Sequence, residues 1–108
     1  METQRKGKQA TPVSYIQDGI NRRFFQAVEA LAQLGRLASL SAFCIEAGLS
    51  ASRYREARRA FGVTPSPQGS RYKSVQVEAL YYLIVKYFVS PDWLLTGRGN
   101  MFLNEEKR

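Results

Sequence analysis

Ser52, Arg55, Glu56 and Arg59 stand at i, i+3, i+4 and i+7, the spacing that lines one face of an α-helix. A guanidinium is a planar fork of fixed donors, and two of them about one turn apart can each grip a pair of acceptors. Acceptor pairs of the right shape occur on carboxylates, on phosphates and on the O6/N7 edge of guanine. Against guanine each such grip is worth about 1–3 kcal/mol of discrimination. Glu56 suits cytosine N4, or the orienting of Arg55 or Arg59, while Ala51 and Ser52 suit a thymine methyl or a base edge. Ala51, Ser52, Arg55, Glu56 and Arg59 are therefore the candidate base-reading set. Ser50, Arg53, Arg58, Arg71 and Lys73 are the candidate phosphate-positioning set. The same face also reads as a solvated helix surface with ordinary i, i+4 charge pairs.

Such a face is useful only if something holds it outward, and the stretch 39–61, SLSAFCIEAGLSASRYREARRAF, has the parts to do so. Leu40, Phe43, Cys44 and Ala47 form the apolar side of a first helix, and Tyr54, Ala57 and Phe61 that of a second. Gly48 can take the left-handed backbone where the first must stop. Ser39 and Ser50 are good N-caps, and Leu49 can staple onto Tyr54. Two helices joined by a short turn containing Gly make a helix-turn-helix unit, whose second helix can enter a major groove.

The chain has 108 residues, room for one small domain, and a formal charge of +7. The excess is uneven. Residues 1–36 carry six Lys/Arg against three Asp/Glu, residues 37–73 six against two, and residues 74–108 four against four. A basic balance favours an anionic partner. Histidine is absent and the acidic residues are scattered, so the chain offers no metal cluster and no catalytic constellation. Neither an enzyme nor a bound cofactor, metal or small-molecule ligand is expected. Cys44 is the one cysteine, which rules out an internal disulfide and fits the reducing cytoplasm. It reads as a small buried hydrophobe or, less readily, as a reactive thiol. No apolar run approaches the ~18 residues of a membrane span, and the N-terminus lacks a secretory h-region.

The remaining elements follow in order. Residues 1–17 read as a flexible basic arm, either a solvated tail or a reach toward DNA phosphates or the minor groove. Ile20, Phe24, Val28 and Leu31 predict a helix over 20–34, capped by Asp18 or Asn21 and stopped at Gly35. Arg22 and Arg23 at its start would oppose the helix dipole unless an anion or solvent relieves them. After Gly62 the run TPSPQGS is a loop. Ser74 then caps a helix over 74–89 that is apolar almost all round, either central to the core or covered by a partner. Ser90 and Pro91 open a last helix over 91–96, Met101 and Phe102 fold back, and 104–108 fray.

The closing run PDWLLTGRGNMF, 91–102, closely resembles the end of many small bacterial and phage regulators of the lambda-repressor-like, or XRE, group. There it runs roughly Pro-x-Trp-Leu-Leu-x-Gly-x-Gly-x-Met-Phe. Phe43, Cys44, Gly48, Leu49 and Ser50 match that group's helix-turn-helix, with Cys44 where it usually has Ala. The resemblance covers 20–102. It implies an all-α fold: a compact five-helix lambda-repressor-like DNA-binding domain over 18–103, with the helix-turn-helix at about 39–61. It also implies sequence-specific binding of double-stranded DNA in transcriptional regulation. One recognition helix reads few base pairs, so a homodimer is expected, and the neutral C-terminal third offers Tyr81, Tyr82, Val85, Phe88 and Trp93 as its surface. Trp93 also reads as a core plug. The competing function is a protein-interaction module, such as an antitoxin or a mobile-element accessory factor, with DNA binding secondary.

Overall fold

The structure, a computed structural model, describes residues 15–62 and 75–103. Within them the chain is all-α, as expected. The helices are α1 (Tyr15–Gln33), α2 (Leu40–Ala47), α3 (Ala51–Gly62), α4 (Val77–Tyr87) and α5 (Pro91–Thr96). The only other pairing among the described residues is an isolated antiparallel bridge between Val89 and Phe102, which folds the closing segment back. The basic arm's residues 1–14, the loop after α3 and the 104–108 tail lie outside the described residues.

Local chemistry accounts for most helix ends. Ser39 Oγ accepts from Ala42 N at 3.0 Å, and Ser90 Oγ accepts from Trp93 N at 3.2 Å with Pro91 in the first turn. Gly35 closes α1 in the left-handed region, with Arg36 N donating to Leu31 O at 2.9 Å.

Two boundaries differ from the sequence reading. α1 begins at Tyr15, five residues before Ile20, so residues 15–17 belong to the helix and not to the arm. Neither Asp18 nor Asn21 stands at its start. Asp18 lies in the first turn and pairs with Arg22 at 2.7 Å, while Gln17 Nε2 donates to Asn21 Oδ1 at 3.0 Å. These i, i+4 polar pairs carry the helix past the point where its apolar period begins. α4 is shorter than expected, starting at Val77 rather than near Ser74. The residues ahead of it are tied down in extended form. Val75 N donates to Asn21 Oδ1 at 3.0 Å, and Gln76 N donates to Tyr54 Oη at 3.0 Å. Asn21 is 1% exposed, so its side chain is a buried post that satisfies a backbone donor where the chain rejoins the fold.

The core is one cluster. Phe24, Val28 and Leu31 of α1 meet Leu40, Phe43 and Cys44 of α2, with Tyr54 of α3, Leu83 and Tyr87 of α4 and Leu94 of α5. Phe24 sets its ring edge-on to Phe25, Phe43 and Tyr54, with centroids 5.0, 5.6 and 5.7 Å away. Burial pushes the Cys44 thiol above its ordinary value, which suits a packing role.

Arg23 has a role that the sequence reading did not find. Its Nε donates to Leu94 O at 2.9 Å and its Nη2 to Leu95 O at 3.1 Å, so it caps the last turn of α5 from the side of α1. A Cβ on Gly19 or on Gly97 would come within 3.2 Å of Arg23 Nη1, so both glycines leave room for the guanidinium. Arg22 and Arg23 also stand well inside α1, where the dipole penalty expected of them has faded.

Tyr87 joins α4 to α2, its hydroxyl donating to Glu46 Oε1 at 2.8 Å. Burial first, and then the Glu46 carboxylate, push the phenol up from 10.0 to about 12. A raised folded-state value favours the neutral phenol, so this stabilisation is complete below about pH 10 and is lost as pH climbs to about 12. The loss should be on the order of 2–3 kcal/mol. Denaturant titrations at stepped alkaline pH check it: Tyr87→Phe should flatten the fall between pH 10 and 12, and an unchanged profile would exclude Tyr87 as its source.

Candidate nucleic-acid interface

The turn between α2 and α3 is built as its residues require. Gly48 has φ 74° and ψ 32°, and Leu49 N donates to Cys44 O at 2.8 Å. An added Cβ there would meet nothing within 4 Å, so the backbone conformation, not space, calls for glycine. Leu49 packs against the core, and Ser50 Oγ accepts from Arg53 N at 3.3 Å, capping α3.

Tyr54 fixes the orientation of α3. Its ring is buried against Phe24, and its hydroxyl accepts from Gln76 N at 3.0 Å and donates to Gln76 Oε1 at 3.2 Å. With Tyr54 inward and Ala57 packed on the core, Ser52, Arg53, Arg55, Glu56, Arg58 and Arg59 are exposed. The face Ser52–Arg55–Glu56–Arg59 is thus presented to solvent as one surface, with Ala51 half-buried at its edge. The side chain of Phe61, expected on the inner face, lies outside the described residues, and so do Arg71 and Lys73.

Arg55 is held in place. Its Nη1 donates to Ser41 Oγ of α2 at 2.8 Å, which uses one of the five guanidinium donors and leaves the rest free of that bond. Ser41 was not singled out in the sequence, because no spacing within one helix reveals a partner on the next. Arg58 leans the other way. With Arg22, Phe25, Gln26, Glu29, Ala30 and Gln33 it lines an open groove of about 430 Å³ between α1 and α3.

The expected dimer residues divide. Tyr81, Val85 and Phe88 are exposed. Tyr82 packs on the core, its ring edge-on to Phe43 at 5.5 Å, and Trp93 is half-buried against the core. Val77 and Leu103, absent from the expected set, are exposed as well.

Among the described residues no group of three or more His, Cys, Asp or Glu could hold a metal ion, and no helix is long and apolar enough to cross a membrane. Compared with protein-family models, with curated proteins and with solved structures, the chain matches none.

Proposed function

We propose that the chain is a sequence-specific double-stranded DNA-binding protein of the lambda-repressor-like, XRE helix-turn-helix type, acting in transcriptional regulation from the cytoplasm. Helix α3 enters the major groove with its exposed face. One observation carries this reading: Arg55 and Arg59 share an exposed helix face whose opposite side, at Tyr54, is locked into the core. A cationic face on a rigid helix that starts at a capped turn suits base edges, with phosphates near the N-terminal amides of α3. Arg55 and Arg59 grip guanine, Glu56 accepts from cytosine or steadies an arginine, and Ala51 and Ser52 lie nearest the helix start. Ser50, Arg53, Arg58, Arg71 and Lys73 hold the backbone.

The test is selection of bound sites from random duplex DNA, followed by affinity measurement across salt. With about 6 phosphates neutralised, log K should fall against log salt with a slope near −5, about a thousandfold between 50 and 200 mM. A slope near zero, with no enriched sequence, would favour the second reading, a protein-interaction module such as an antitoxin or mobile-element accessory factor. The exposed apolar residues of α4 are the observation in its favour.

A further inference from the structure

Arg55 and Arg59 lie one turn apart on the exposed face of α3, and they are held differently. Arg55 Nη1 donates to Ser41 Oγ of α2 at 2.8 Å, a bond that reaches back 14 residues to the neighbouring helix. The buried Cys44 thiol gives a second sign of the same lean. The Arg55 cation offsets part of the rise that burial imposes on that thiol, so its charge is felt within α2. The Arg59 guanidinium, by contrast, has no hydrogen bond or ion pair with any described residue.

The bond to Ser41 decides what Arg55 can present. A guanidinium carries five N–H donors, and Ser41 takes one of the two on Nη1. The edge formed by Nε and Nη2 is untouched. That edge is a planar pair of donors, the geometry that grips two acceptors at once. A tether at Nη1 also limits the planes that the fork can take. A long side chain limited in this way loses less freedom on meeting a base than one that is untethered. Arg59 has its whole fork to offer and no preset plane, so it adapts to whichever acceptors lie in reach, a base edge or a phosphate.

We infer that Ser41 is a positioning residue for base reading, and that it makes the Arg55 contact stricter than the Arg59 contact. The inference rests on the reading of α3 as the recognition helix, and it describes the target. One base pair, opposite Arg55, is read with little tolerance. A second, opposite Arg59, is read more loosely. Bidentate contact to guanine discriminates over a range of about 10–100-fold, with the Arg55 position near the top of it and the Arg59 position near the bottom.

The strict position is thus set from outside the helix that reads it. Serine suits the task because it is short and neutral. An acid at position 41 would hold the fork harder, but it would pair the cation and add a negative charge to a face that meets DNA. Alanine would leave every charge in place and release the fork.

Selection of bound sites from random duplex DNA tests this position by position. The chains compared are the parent, Ser41→Ala, Ser41→Thr, Arg55→Ala, Arg59→Ala and the double variant Ser41→Ala with Arg55→Ala. Ser41→Ala should relax one position by about tenfold, the same position that Arg55→Ala erases. The position assigned by Arg59→Ala should stay as in the parent, and so should the salt slope. Ser41→Thr keeps the hydroxyl and should restore the strict position. Once Arg55 is alanine, Ser41→Ala should change nothing further, since no fork is left to hold. A Ser41→Ala chain that keeps the parent's preference at every position would overturn the inference and leave the DNA reading standing. So would an Arg59 position stricter than that of Arg55. A loss shared by all positions, or a further loss in the double variant, would do the same by giving Ser41 a structural or a direct role. A parent that enriches no sequence would overturn the DNA reading, and this inference with it.

Discussion

Phe24→Ala is expected to lower the free energy of unfolding by about 3–5 kcal/mol, enough to leave much of a small domain unfolded. Phe24 has no exposed surface, and its ring touches aromatic residues of three helices: Phe25 beside it, Phe43 on α2 and Tyr54 on α3. Truncation removes the transfer energy of the ring and leaves a cavity that three separate helices would have to move to fill. It also loosens Tyr54, the residue that sets the roll of α3. Denaturant melts of parent and variant measure the change directly. A loss below about 1 kcal/mol would show that the cluster can repack around alanine and that Phe24 is not its centre.

The second large effect is on discrimination. Arg55→Ala and Arg59→Ala should each reduce the preference for a selected site over random duplex by about 10–100-fold, the equivalent of roughly 1–3 kcal/mol. Arg53→Ala, Arg58→Ala, Arg71→Ala and Lys73→Ala should instead weaken binding to both duplexes alike, and each should make the salt slope shallower by about one. Ser41→Ala is the informative companion. It removes the 2.8 Å bond that poses Arg55 but leaves every charge in place. Preference should fall less than in Arg55→Ala, with the salt slope unchanged. Competition assays against specific and random duplexes separate these outcomes. Equal losses on both duplexes for Arg55→Ala and Arg59→Ala would mean that another face of the domain meets the bases.

What could be read from the sequence was chemistry local to a few residues. Gly35, Ser39, Gly48, Ser50, Ser90 and Pro91 each act within one turn of the chain, so their types alone announced the helix ends, and the period of Ser52, Arg55, Glu56 and Arg59 announced a shared face. Interactions that close over long separations left no such mark. Asn21 resembles a cap because asparagine favours caps, yet its partner Val75 lies 54 residues away. Tyr54 holds Gln76 across 22 residues and so decides where α4 can begin. Arg23 read only as a cation at odds with the helix dipole because its acceptors are carbonyls, which every residue has. The same limit applies to the C-terminal patch. An apolar residue announces that it prefers cover, but only the packed fold tells that Tyr82 and Trp93 have found it while Val77, Tyr81, Val85 and Phe88 have not.

The bond from Arg23 to Leu94 joins residues 71 positions apart, nearly the whole described span. Closing a loop of that length from an open chain costs about 4 kcal/mol of chain entropy, about as much as the two charge-assisted hydrogen bonds of Arg23 return. The guanidinium gains most once other helices have assembled and shortened the path between the chain's two halves. Docking of α5 is then expected late in folding, so Arg23→Ala should speed unfolding more than it slows folding in denaturant-jump kinetics. The first helix thus serves as the lock on the last, and a chain opened at either end begins to release the other.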